Sequence, residues 1–262
     1  MIIMNEIIIS KSNIINPCNS ILITVDNNHL KIEVMSNTNI AFKLINEYYE
    51  FVSLVINPNS KVNILEISDQ GIDKKHYDYQ ILENSILTIN KLNYRDEYQE
   101  EIDTSLDGLN SFLYLNVSII SVNIHKYIID IKHNNKNTTS IINNHGVTIN
   151  KGIIEMLVNG RVQKGMTNSI MNQDNKIIMM GTGKSTIKPN LYIDENMVEA
   201  RHGASIGRFN DDEIFYMKTR GINETEGYNL LMKGFLLEIL DIDDESKEEC
   251  SNIIDKYRRV SL

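Results

Sequence analysis

Residues 181–207, GTGKSTIKPNLYIDENMVEARHGASIG, hold two arrangements that could do chemistry. Gly183-Lys184-Ser185 ends like a phosphate-binding loop, in which backbone N–H groups and a lysine cradle a nucleotide. Gly203-Ala204-Ser205-Ile206-Gly207 has the G-x-S-x-G form of a hydrolase nucleophile elbow. Both fail on spacing. The phosphate loop needs a glycine five residues before Gly183, where Ile178 stands, and a helix straight after the Lys-Ser. Here Pro189 and strand-forming residues follow. The plainer reading is a turn in which Gly181 and Gly183 supply positive φ. The elbow needs an acid and then a histidine downstream, but His202 is the last histidine of the chain. His29, His76, His125, His133 and His145 do not pair with another His or Cys at a short ligand spacing. Their turn-like neighbours predict solvated surface positions. The two cysteines, Cys18 and Cys250, are far apart and form no C-x-x-C. Cys250 reads as a small buried hydrophobe, and Cys18, within NPCNS, as a turn residue.

Composition narrows the function classes further. The chain has 262 residues, 42% of them hydrophobic and 23% charged, enough for a globular core. Its formal charge of −9 repels phosphate backbones, so nucleic acid is not an expected partner. Asn5, Glu6, Lys11 and Asn13 interrupt the apolar start before a signal-peptide core could form, and no window reaches the ~18 apolar residues of a membrane span. The expectation is a cytoplasmic protein off the membrane. The abundant asparagine and isoleucine read as a base-composition effect.

Whatever these residues do, mostly strands must position them. Short β-rich runs with period-2 alternation recur between about residues 5 and 218, for example LKIEVM (30–35), KVNILEI (61–67), FLYLNVSIISVNI (112–124) and GIIEMLV (152–158). Asn, Asp, Gly and Ser fill the gaps. Residues 39–56 fit an amphipathic helix or a strand pair. Such spacing suits a sandwich, a barrel or a β-helix, and no clean repeat selects among them. After residue 219 the period becomes helical. Asn223 and Glu226 form an N-cap pattern, Leu231 and Phe235 share a helical face, and DIDDESKEE opens a second helix with an apolar stripe of Cys250, Ile253, Ile254 and Tyr257. Arg258 and Arg259 stand at its negative end. The expected domains are a β core over 1–218 and a helical pair over 219–262, too small to fold alone.

Positions 188–222 carry a more specific signal. Lys188-Pro189, Leu191 and Ile193 are followed by His202-Gly203-Ala204-Ser205 and Gly207. Then come Ile214-Phe215-Tyr216 and Thr219-Arg220-Gly221-Ile222. In order and spacing this resembles the signature of the SufB/SufD family, the scaffold subunits of SUF iron–sulfur cluster assembly. Residues 137–165 resemble the family's preceding rungs more weakly. The resemblance covers roughly the C-terminal 60% of the chain, and residues 1–100 offer no motif.

The resemblance implies a mainly β protein, a right-handed parallel β-helix followed by a C-terminal α-helical segment. It implies a non-enzymatic scaffold that binds no nucleotide itself. Its partners would be a SufC-type ABC ATPase, gripped by the C-terminal helices, and a SufB-type subunit or a second copy, paired through the β-helix. Phe215, Tyr216, Arg220, Gly221, Leu231 and Phe235 are the implied ATPase-binding residues. His202 is the implied metal ligand for a transient Fe–S cluster at the subunit interface. SufB carries a glutamate after the motif histidine and a cysteine near the position of Asn175–Lys176. This chain has Gly203 and no thiol there, so it is more SufD-like. It is also short for a family that often has a helical N-terminal domain, and resembles a reduced version. The rivals are a secreted-type β-helix enzyme acting on polysaccharide and a purely structural SUF subunit.

Overall fold

The computed structural model of the protein describes residues 5–9, 19–68 and 71–258. Cys18 and Arg259, and the side chains of Tyr257 and Arg258, lie outside the described parts. The chain winds into a parallel β-solenoid of about six turns. Two eight-stranded sheets form its walls. Sheet A runs in the order β1 (Asn5–Ile9), β4 (Asn39–Asn46), β6 (Lys61–Ser68), β8 (Ile86–Asn93), β10 (Phe112–Ser121), β12 (Thr139–Thr148), β14 (Ser169–Met179) and β16 (Val198–Gly207). Sheet B starts from an antiparallel pair, β2 (Ile21–Asp26) with β3 (His29–Val34). It continues through β5 (Phe51–Ile56), β7 (Lys74–Ile81), β9 (Tyr98–Leu106), β11 (Ile124–His133), β13 (Ile153–Val162) and β15 (Thr186–Ile193). Residues 39–56 are therefore the strand pair β4 and β5, not a helix.

Alternation builds the wall. In β9 every second residue is buried, from Tyr98 to Leu106. The inward residues of both sheets merge into one core that includes Phe42, Leu54, Tyr77, Leu115, Ile129 and Val158. Each turn of the coil needs a sharp corner, and asparagine makes one of them. Asn37, Asn59, Asn84, Asn110, Asn137 and Asn168 all adopt positive φ, between 54° and 60°. Asparagine tolerates this region because its short polar side chain bonds locally. Five of them stack: each Nδ2 from Asn84 to Asn168 donates to the Oδ1 of the asparagine one coil before, at 2.9–3.2 Å.

Each corner asparagine precedes a serine or threonine whose hydroxyl is buried beneath the turn. Ser60 Oγ, for example, donates to Met35 O at 2.9 Å and accepts from Thr38 N at 3.2 Å. The Asn-Ser/Thr dipeptide thus recurs every 22 to 31 residues. This corrects two expectations. A repeat does select the solenoid, and these six asparagines stand where the backbone requires them.

Among its described residues the helical segment has three helices, not a pair. Helix α1 (Asp211–Thr219) begins inside the stretch expected to be strand-like, capped by Asn210, whose side chain accepts from Asp212 N. Helix α2 (Glu224–Leu237) starts at the expected cap, with Asn223 accepting from Glu226 N. Helix α3 (Asp244–Arg258) follows. Met232, Leu236, Leu240, Cys250 and Ile254 cover Leu65, Leu92, Ile120 and Val147 on the outward face of sheet A. The segment is thus a lid on one wall, and its described residues leave the β15–β16 end of the solenoid uncapped.

Candidate functional site

The singled-out residues fall on the last coil and the first helix. Lys188, Pro189, Leu191 and Ile193 form β15, the terminal strand of sheet B. Proline is tolerated there because an edge strand can spare an N–H. His202 through Gly207 form most of β16, the terminal strand of sheet A. Gly203 and Gly207 lie within this strand, so no strand-to-helix elbow surrounds Ser205. Gly181 and Gly183 do lie in the turn between β14 and β15, but neither has positive φ. They are required for another reason: a Cβ on them would come within 2.0 Å of Asn150 O and 1.9 Å of Gly152 O. The turn is packed against the coil below it.

His202 occupies an unusual place. In the register of β14 and β16 it lies over Gln173, and its neighbours on the same face are Ala200 over Met171 and Ala204 over Asn175. Met171, Gln173 and Asn175 are buried inside the solenoid. The His202 side chain therefore belongs to an inward column, yet it is exposed, because no further described coil lies above it. Arg201 faces the opposite way and pairs with Glu199 on the outer surface. Asn175 holds the strand in place: its Nδ2 donates to Gly203 O at 3.1 Å, and Asn144 Nδ2 donates to Asn175 Oδ1 at 2.7 Å.

Phe215 and Tyr216 are 68% and 59% exposed on α1, large aromatic surfaces with solvent on most sides. Arg220 Nη2 donates to Tyr216 OH at 3.2 Å, and its guanidinium sits 5.3 Å from the Tyr216 ring centroid. Gly221 has φ +85°, which lets Ile222 N reach Met217 O and close the helix. Leu231 and Phe235 are half-buried. Phe235 stacks face to face on His145, with ring centroids 4.2 Å apart, and meets Phe209 edge-on.

The histidines are the largest departure from the sequence reading. His29 and His76 are half-exposed on sheet B, but His125, His133 and His145 are buried, not solvated. His125 Nε2 bonds Arg95 O at 2.7 Å. His133 bonds Thr138 Oγ1 and Ser140 Oγ. His145 Nδ1 donates to Phe235 O at 2.7 Å and, with Ser118 and Asn90, ties the helical segment to sheet A. Burial pushes His125 and His133 down to about 4 and lowers His145 as well. Local sequence could not show this, because strand register decides which neighbours a histidine meets.

A second buried polar group also escaped the sequence reading. Glu66, Lys75, Lys91 and Glu100 lie inside the solenoid with Tyr77 and Tyr98. Lys91 Nζ sits 3.2 Å from Glu66 and 3.0 Å from Glu100, and Lys75 Nζ is 3.4 Å from Glu66. Burial alone would raise the Glu66 carboxyl, but Lys91 and Lys75 hold it below its ordinary value. Burial pushes Lys75 down to about 8.

Cys250 is buried between α3 and sheet A, and burial pushes its thiol up to about 12, so it is no ready thiolate. Among the described residues, no three His, Cys, Asp or Glu side chains converge on a point that could hold a metal ion. No described helix is long and apolar enough to cross a membrane.

The family model described as SUF system FeS cluster assembly, SufBD core domain, matches residues 10–235, well beyond the C-terminal 60% that the motifs covered. The iron–sulfur cluster assembly protein SufD of Escherichia coli (strain K12) is 28% identical over 147 residues, which are 52% of this chain and 33% of that protein. SufD of Bacillus subtilis (strain 168) is 30% identical over 111 residues, 41% of this chain and 25% of that protein. A SufBD family protein of Synechocystis is 28% identical over 113 residues, again 25% of that protein. The chain therefore aligns with a quarter to a third of the length of these relatives.

Proposed function

Because the chain belongs to the SufBD core family of SUF iron–sulfur cluster assembly, we propose that it is a non-enzymatic, cytoplasmic scaffold subunit of that system. It pairs through the open end of its solenoid with a SufB-type subunit or a second copy, and it docks a SufC-type ABC ATPase through its C-terminal helices. The observation that carries this reading is the exposed His202 on an otherwise inward column. A side chain built to face an interior, at an end that no described coil covers, suits a surface completed by another chain. β15 and β16 end their sheets there, and an open sheet edge accepts further strands.

One imidazole cannot hold a cluster, so the other iron ligands come from the partner chain or from small thiols. The cluster is cargo, formed at the interface and passed on. His202→Ala should leave the fold intact, since the side chain is exposed, and should lower cluster yield in the assembled complex at least about tenfold, the lower end of what even an outer-shell loss costs a metal site. Undiminished yield would assign the chain to the purely structural reading.

The ATPase-docking surface centres on Phe215, Tyr216 and Arg220. Exposed aromatics with an adjacent arginine are the residue types that dominate binding energy in protein interfaces. The double variant Phe215→Ala, Tyr216→Ala should weaken binding to a purified SufC-type ATPase by about 30-fold or more, measured by calorimetry, at about 2 kcal/mol for one hot-spot loss. Unchanged affinity would move the docking surface elsewhere.

A further inference from the structure

Gln173 is a buried carboxamide of the solenoid with both of its ends unpaired. It is 3% exposed, and neither Nε2 nor Oε1 has a hydrogen-bond partner. Leaving a buried carboxamide unpaired costs about 1–3 kcal/mol per group, so such groups are rare where the fold alone decides. Nothing in the local architecture asks for polarity at this position. Its inward column reads Ile64, Ile89, Leu115 and Ile142 through four preceding coils. Leucine would continue that column.

The opposite wall is nevertheless shaped to admit the amide. A Cβ on Gly160 of β13 would fall 3.0 Å from Gln173 Nε2 and 1.9 Å from Met171 Sδ. The missing side chain makes the room. The next residue of the Gln173 column, one strand spacing of ~4.8 Å beyond, is His202. Gln173 is also set apart from its neighbouring amide. Asn175 spends both ends of its carboxamide, on Gly203 O and on Asn144, and so fixes the backbone beside His202. Gln173 spends neither.

We propose that Gln173 is a positioning residue for His202. Its carboxamide hydrogen-bonds one imidazole nitrogen when the other takes a metal ion, which fixes the ring's tautomer and points the ligating nitrogen out of the mouth of the solenoid. A metal-bound histidine generally needs such a partner for its second nitrogen. With Arg201 and Glu199 facing outward and paired to each other, Gln173 is the polar group placed beneath the ring. This deepens the reading of His202 as an iron ligand and rests on it.

The test uses the full chain with Co²⁺ and Zn²⁺ as probes, in the presence of a small thiol that supplies the ligands one imidazole lacks. The ring nitrogen signals of ¹⁵N-histidine-labelled protein are followed by NMR during metal titration, in the parent and in the Gln173→Leu, Gln173→Glu and His202→Ala variants. Gln173→Leu should fold with equal or higher Tm, because it extends an apolar column and removes an unpaired amide. It should also weaken metal binding at His202 about 10- to 100-fold and abolish the hydrogen-bonded signature of the second ring nitrogen in the Zn²⁺ form. Gln173→Glu, which keeps an acceptor, should restore both.

If His202→Ala weakens metal binding but Gln173→Leu changes neither affinity nor ring signals, the positioning role is wrong and the ligand reading stands. If His202→Ala leaves metal binding unchanged, both fall. A fall in Tm for Gln173→Leu would show that the amide is structural and would overturn the proposal.

Discussion

Lys91→Met is expected to cost the solenoid about 3–5 kcal/mol in urea denaturation at neutral pH, the usual penalty for removing one partner of a buried ion pair. That is about a fifth or more of the stability typical of a domain. Lys91 is fully buried, with its ammonium between Glu66 and Glu100 and 3.5 Å from the centroid of the Tyr77 ring. The loss falls unevenly on the two carboxylates. Glu66 keeps Lys75 and the Tyr77 hydroxyl, whereas Glu100 keeps mainly the Tyr98 hydroxyl at 2.6 Å. Glu100 would then be an underpaired buried anion.

Adding Glu100→Gln to Lys91→Met should therefore recover part of the loss. A charged pair removed together costs far less than one orphaned partner. If Lys91→Met alone costs under about 1 kcal/mol, the cluster is hydrated and the tight packing described for it is wrong.

The same cluster explains why parts of the fold could not be read from sequence. The strands around it, β7 and β9, carry the segments KKHYDYQI and YQEEIDTSL. Their outward positions are charged, as in any exposed wall, but inward positions are charged too, at Lys75 and Glu100. Apolar alternation, the signal that revealed β3, β6 and β13, is therefore weak in them. The corner repeat was hidden differently. It consists of two residues, and its spacing drifts from 22 to 31 as the coils widen, so no fixed period brings it out. Knowing that a parallel solenoid turns a corner once per coil makes Asn-Ser/Thr visible at once.

The site was legible to a different degree. The motif from Lys188 to Ile222 marked the terminal coil and the segment that α1 occupies, though not its helical form, because there the residue types are tied to a fixed order and spacing. Gln173 was not legible. Its significance lies in sharing a column with His202, and the 28 residues between them hold a turn, a strand of the other sheet and a second turn. The polar anchors of the helical segment, Ser118, His145 and Asn90, were lost for the same reason. Each looks like an ordinary strand or turn residue until register places it beneath α2 or the residues that follow α2.

Acid should unfold this protein well before its carboxylates are fully protonated. His125 and His133 are neutral and buried, and burial holds each at about 4 against an ordinary 6.5, the Arg95 carbonyl only partly opposing this at His125. Above pH 6.5 both are neutral whether the chain is folded or not, and the stability they permit is fully present. Between 6.5 and about 4 the unfolded chain binds protons that the folded chain refuses. Stability therefore falls as pH falls through that window, by about 3 kcal/mol per histidine once pH 4 is reached. His145, lowered in the same sense, adds a loss of its own where α2 meets sheet A. Glu66 contributes mainly below 4.5, because its carboxyl is held under that value in the folded state.

Urea midpoints at pH 7.0, 5.5 and 4.5 should drop steadily, and His133→Gln, which cannot titrate, should flatten the slope. Hydrogen exchange should show protection falling first at β11, which carries His125 and His133, and where α2 meets His145 on sheet A. A flat midpoint between pH 7 and 5 would mean that the three rings are hydrated in solution, and that the solenoid wall is more open than the buried rings require.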